Sequence, residues 1–208
     1  SQVQNAEGWV RHPLDAALRQ EASAKLRAIP VRVPFGDPGL NLRASFSLFD
    51  RTTGRPVCVG DGLRCKRVTE RGIEALPCPT PAACPLAQEG RCKPYGRLHV
   101  RVLPQDAEEE DGLGTFVFRT TGFNSIRTLA ARLAYLRAVS GGVLASLPLT
   151  LRLRGKSTTQ SHRAPIYYVD LTTAPGTRLE QAVVQARAED ERRRQLGFDQ
   201  EALDEAAR

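Results

Sequence analysis

Four cysteines, Cys65, Cys78, Cys84 and Cys92, fall within 28 residues of a 208-residue chain. Thiolates are soft, charged ligands suited to zinc, and for loops that cannot build a core the metal-binding free energy becomes folding free energy. The linking segments hold 12, 5 and 7 residues, wider than the pair-plus-pair spacing of a zinc ribbon. Cys78 and Cys84 each precede a proline that fixes the local backbone direction, and Gly60-Asp61-Gly62 introduces Cys65. Glycines beside a ligand let the backbone turn its amides toward sulfur, which orients and tunes a metal site. The pattern predicts one closed four-thiolate zinc centre, structural because no position is left for water; an iron–sulfur cluster would use the same ligands. Free or disulfide-bonded cysteines in a proline-rich loop are the alternative. Cys58 continues a strand-like run and reads first as a small hydrophobe and second as a spare ligand. All five cysteines lie between positions 58 and 92, unlike a disulfide framework spread over a secreted domain, so a reducing cytoplasm is expected.

No catalytic arrangement accompanies them. The sequence holds no Gly-rich phosphate loop, no Gly-x-Ser-x-Gly and no His-Glu-x-x-His. His12, His99 and His162 are far apart. The acidic run Glu108-Glu109-Glu110-Asp111 reads as a solvated loop tip, since like charges in a block repel. Asp50, Asp61 and Asp170 lie near strand ends without a lysine or histidine at a supportive spacing.

Cations form the second candidate site. Net charge is +7 with a pI of about 9.5, which favours a polyanionic partner such as nucleic acid. Two strands carry a basic residue at every second position, Arg97/His99/Arg101 and Arg152/Arg154/Lys156. A face of cations in register suits a phosphate backbone. Tyr167, with Tyr168, Phe116 or Tyr95, could stack bases beside it; burial is the plainer reading for the phenylalanines.

Alternation of apolar and polar residues predicts strands over 29–35, 40–49, 55–59, 97–103, 114–120, 147–156 and 166–171, with turn chemistry between them. Strand 97–103 should pair antiparallel with 114–120 across a charged loop at 106–111. One strong internal helix begins at Asn124 or Ser125 and carries Ile126, Leu129, Ala130, Leu133 and Leu136 as its apolar stripe. Gly141-Gly142 ends it. Before the strands, Leu14, Ala17, Leu18, Ala22 and Leu26 recur at helical spacing, and Trp9 reads as an anchor packed on the body. After Pro175-Gly176 comes a charged helix, read as packed along one side. The expected fold is α+β: an antiparallel β barrel or half-barrel with one internal helix, a four-Cys metal-binding insertion and a charged C-terminal helix. The expected division is a helical arm over 1–28, a β-rich core over 29–175 with the Cys-rich insertion at about 60–95, and a helical tail over 176–208. No apolar run approaches 18 residues, so no membrane span is expected, and the polar residues 1–5 do not look like a signal peptide.

The succession Cys84 … Gly90-Arg91-Cys92-Lys93-Pro94-Tyr95-Gly96-Arg97-Leu98, then Gly114-Thr115-Phe116-Val117-Phe118-Arg119-Thr120-Thr121-Gly122-Phe123-Asn124-Ser125-Ile126, then a helix and Pro148-Leu149-Thr150-Leu151 resembles the recombination directionality factors of phages and integrative elements. These act with large serine integrases. Relatives described only as metal-binding accompany single-strand annealing proteins. The similarity covers about residues 40–172. It implies a non-catalytic, zinc-containing DNA-transaction accessory of a mobile element, phage or bacterial, with DNA and a serine integrase or other recombination proteins as partners. The alternatives are a single-stranded DNA-binding partner of annealing and exonuclease proteins, and an iron–sulfur nuclease.

Overall fold

The structure is a computed structural model that describes residues 2–6, 8–19, 25–103, 114–157, 159 and 162–208. The acidic run at 106–111 lies outside the described residues. A small hairpin, β1 (Gln2–Asn5) with β2 (Gly8–Arg11), stands at the N-terminus, followed by a five-residue helix α1 (Pro13–Ala17). The helical spacing read from Leu14 onward therefore yields one short helix; its later member Ala22 lies outside the described residues. Trp9, expected as a packed anchor, is 67% exposed on that hairpin.

The body is a single antiparallel sheet built from β3 (Ala28–Arg32), β4 (Leu42–Phe49), β5 (Pro56–Gly60), β6 (Arg64–Thr69), β7 (Gly72–Pro77), β8 (Lys93–Val102), β9 (Phe116–Thr120), β10 (Leu149–Lys156) and β11 (Ile166–Thr173). The order is β11-β10-β3-β8-β4-β5-β6-β7, with β9 also paired to β8. β11 and β7 end this path and do not pair with each other, so the sheet stays open and the closed barrel allowed by the sequence does not form.

β8 shows why the pattern folds as it does. Leu98 and Val100 are buried, while Arg97 and His99 point to the other side, the two-residue period of a pleated strand. The apolar side meets α4 (Phe123–Ser140), whose Leu129, Leu133 and Leu136 join Val31, Leu42, Leu98, Leu149, Leu151 and Leu171 in one core. The helix stops at Gly141, whose φ of 73° is left-handed, with its N–H on the Ala138 carbonyl. Its start differs from expectation. The cap is Gly122, without a side-chain bond. Ser125 instead accepts a hydrogen bond from the Val169 N–H at 3.1 Å, so the helix covers part of the edge of β11.

Two helices follow the sheet, α5 (Leu179–Gln195) and α6 (Gln200–Ala206). α5 presses fully buried Ala182 and Ala186 into the core and turns Val184, 67% exposed, to the outside. α6 is held by Asp204. That carboxylate accepts from Gly36 N at 3.1 Å, Asp37 N at 2.8 Å and Gln200 Nε2 at 2.9 Å. Asp37 caps a short helix, α2 (Pro38–Asn41). With α3 (Thr80–Ala83) the described residues hold six α-helical segments, more than the sequence suggested. None is long and apolar enough to cross a membrane.

Candidate metal centre and basic face

The cysteine segment is more regular than its composition implies. β6 and β7 form a hairpin that extends the main sheet beyond β5, and only after it come α3 and a 3-10 turn at Pro85–Gly90. Cross-strand partners share a face. The pairs Leu48–Cys58 and Phe46–Gly60, then Cys58–Arg67 and Gly60–Cys65, put Cys58, Gly60, Cys65 and Arg67 on one side. Gly60 makes room there. A Cβ at this position would stand 2.8 Å from Cys65 Cβ, 2.8 Å from Cys78 Sγ and 2.9 Å from Arg64 O. Cys78 therefore lies over Gly60 beside Cys65, its N–H fixed on the Leu63 carbonyl at 2.9 Å.

The thiols and Arg67 also act on one another electrostatically. Burial pushes the Cys65 thiol above its usual range, and a hydrogen bond with Cys58 and the charges of Cys58 and Cys78 push it further, against the pull of Arg67. Burial likewise raises Cys92, followed by the charges of Cys58, Cys78, Cys84 and Cys65. The Arg67 guanidinium is raised first by its hydrogen bond with Cys58 and then, against the opposing effect of burial, by the charges of Cys58, Cys65 and Cys84. Its Nε is buried without a hydrogen-bond partner among the described residues. Cys58, expected first as a hydrophobe, stands opposite Arg67 and on the same side as Cys65, whose Sγ lies 3.9 Å from Arg67 Nη2. Among the described residues no three His, Cys, Asp or Glu side chains stand in ligand geometry around one point.

The predicted cations divide. Arg97 lies between Arg43 of β4 and Arg119 of β9, residue opposite residue. His99 is next along β8, and its imidazole is held below its ordinary value of 6.5 by burial and then by Arg43, Arg97 and Arg119. Arg101 stands opposite Arg32 of β3. Arg152 pairs with Ala28 of the same strand, which puts it on the same side as Arg32, four residues along or roughly 13 Å. Arg154 and Lys156 are drawn inward. Arg154 Nε donates to Asp170 Oδ2 at 2.8 Å, and Arg132 Nε of α4 donates to Asp170 Oδ1 at 3.0 Å. Lys156 Nζ donates to Asn124 Oδ1 at 3.3 Å and stands 5.6 Å over the Tyr168 ring. Tyr167 pairs with Gly155, so it faces away from Arg154, and it is 62% exposed. Phe116 is turned onto His12, ring centres 5.1 Å apart. Tyr95, on the Arg97 side of β8, meets Phe49 edge-on at 5.5 Å. Arg43 and Arg119 were hidden in the sequence, because only strand pairing brings them beside Arg97.

The three isolated aspartates have local tasks. Asp50 Oδ1 accepts from the N–H groups of Thr52 and Thr53. Asp61 Oδ1 accepts from Leu63 and Arg64 N–H, and Asp170 holds the two arginines. Backbone donors lower the carboxyls of Asp50 and Asp61.

No curated protein and no solved structure matches the chain. The model of the Gp3-like family, recombination directionality factor-like, does match, over residues 1–174. The match covers most of the 208 residues, including the cysteine segment, the Arg43–Arg97–Arg119 row and α4, and the chain belongs to this recombination directionality factor-like family.

Proposed function

We propose that the protein is a non-catalytic accessory of phage DNA recombination, stabilised by zinc and contacting DNA through the basic side of its sheet. Family membership supports the recombination role at a coarse level. The observation that carries the DNA contact is the row Arg43–Arg97–Arg119, with Arg101 and Arg152 on the same side; Arg32 between them is ion-paired to Glu189 of α5 at 3.6 Å. Like charges placed directly opposite destabilise a sheet, and a phosphate backbone offsets that cost.

The metal would be held by Cys65, Cys78, Cys84 and Cys92, with Cys58 beside them. The donor set suits zinc: soft thiolates, a glycine that admits Cys78, and Arg67 as a neighbouring cation. Bound zinc supplies structure and no reaction step. Asp50 and Asp61 are committed to turns and Asp170 to two ion pairs, which supports a role without turnover.

The test is charge reversal, Arg97→Glu with Arg152→Glu, read as affinity for DNA over a range of salt. Parent protein should bind less tightly as salt rises, since neutralised phosphates release counterions. The double variant should bind every sequence more weakly. Binding equal to the parent's would make the basic side a solubilising surface and end the proposal.

A further inference from the structure

Beside the arginine row, on the same side of the sheet, lies a groove of about 360 Å³. Ser47, Lys93, Tyr95, Phe49 and Thr121 line it. Arg51 and Arg91 line it too. Among its described lining residues there is no carboxylate. Asp50, next to Arg51, is turned back onto Thr52 and Thr53.

β8 joins groove and row. Lys93, Tyr95, Arg97 and His99 alternate along it on one side, and each step of two residues is roughly 6.6 Å. Across the strands Tyr95 pairs with Ser45, and Arg97 with Arg43 and Arg119. None of these three arginines makes an ion pair among the described residues; one nitrogen of Arg43 holds the Ala207 carbonyl at 2.9 Å. The surface thus presents an aromatic pair in a concave polar site, then a run of unneutralised cations.

We propose that this groove binds single-stranded nucleic acid, one base lying against Tyr95 and Phe49 and the adjoining phosphates running over Lys93 and the Arg43–Arg97–Arg119 row. The proposal rests on the DNA-contact reading above and specifies the strand state. Phosphates alone would be met by the cations on either a duplex or a single strand. An aromatic pair set in a hollow between them is useful only to a base freed from its own stack, and aromatic stacking with a basic track is how sequence-tolerant single-strand sites are built.

The test uses the full chain, a labelled twenty-nucleotide oligo-dT, a mixed-sequence duplex of equal length, and polyglutamate. Anisotropy should show tighter binding to oligo-dT than to the duplex. Tyr95→Leu should weaken oligo-dT binding about ten-fold, the range of one lost base stack, and Tyr95→Phe should keep it. Replacing Arg43, Arg97 and Arg119 by Ser should reduce the salt slope on oligo-dT by about 2, at roughly 0.7 per phosphate contact. If the duplex binds as tightly and Tyr95→Leu has no effect, the groove proposal fails while the DNA-contact reading stands. If neither nucleic acid binds, both fail. Stronger binding to polyglutamate than to oligo-dT would overturn the groove proposal in favour of an acidic protein partner. Circular dichroism of each variant separates lost binding from lost fold, and Tyr95→Phe decides if Tyr95→Leu unfolds.

Discussion

Gly60→Ala tests the cysteine site without touching a sulfur. The added methyl would meet Cys65 Cβ and Cys78 Sγ at 2.8 Å and Arg64 O at 2.9 Å. Cys78 Sγ can turn about χ1, but Cys65 Cβ and Arg64 O are fixed to the backbone. Cys65 is tied by the β5–β6 ladder, Arg64 O receives the Asp61 N–H at 3.0 Å, and the Cys78 backbone N–H is held on Leu63. The strain cannot be shed by a rotamer change, and overpacking of this kind costs about 1–3 kcal/mol. With a urea slope near 2 kcal/mol/M, the midpoint should fall by roughly 0.5–1.5 M. The same displacement moves Cys78, so zinc per chain should fall with it. Val59→Ala, one position away on the opposite side, is the control and should shift the midpoint less. Urea unfolding followed by far-UV circular dichroism, with elemental analysis of the same preparations, reads both effects. A Gly60→Ala protein with the parent's midpoint and metal content would refute the close approach of Cys78 and the reasoning built on it.

Cys78→Ser or Cys92→Ser should carry well under one zinc per chain, and purified parent protein without zinc or iron in elemental analysis would end the metal proposal. Asp204→Ala leaves Gly36 N and Asp37 N without their acceptor and removes one of the two acceptors of Gln200 Nε2; it should destabilise the fold by about 2 kcal/mol and speed protease cleavage within α6, and unchanged proteolysis would refute the clamp. An NMR titration of His99 should give a midpoint below 6.5. Because the folded imidazole takes up its proton later than the unfolded one, stability should decline as pH falls through 6.5. His99→Gln should flatten that part of the pH–stability curve, and a slope unchanged by the substitution would count against it.

Local periodicity carried much of the fold. Alternation placed β8, β9, β10 and β11 within a few residues, and the 3.6-residue stripe gave the buried side of α4, because each pattern records which side meets the core. Register was not legible. Arg97 was visible as a cation, but its neighbours Arg43 and Arg119 are 54 residues upstream and 22 downstream, and only pairing brings them together. The β6–β7 hairpin escaped because prolines and cysteines dominate that stretch, and its outward Val68 and Ile73 blur the alternation. Adjacent tyrosines face opposite ways, and only register shows that Tyr168, not Tyr167, shares a side with Arg154. The β1–β2 hairpin has too few apolar residues to announce itself.

Cys92 sits between Arg91 and Lys93, and both neighbours line the groove. The outer part of the sheet, β5 to β7, reaches the rest through four rungs on β4, with an irregularity between Leu48 and Phe49. Such a flap can open locally while Leu98 and Val100 stay protected from hydrogen exchange. Whatever tethers Cys92 within the thiol cluster also fixes the segment that presents Arg91 and Lys93. A metal held there and a polyanion on Arg91 and Lys93 would share one conformational equilibrium, and linkage would make the effect mutual, each favouring retention of the other by the same factor.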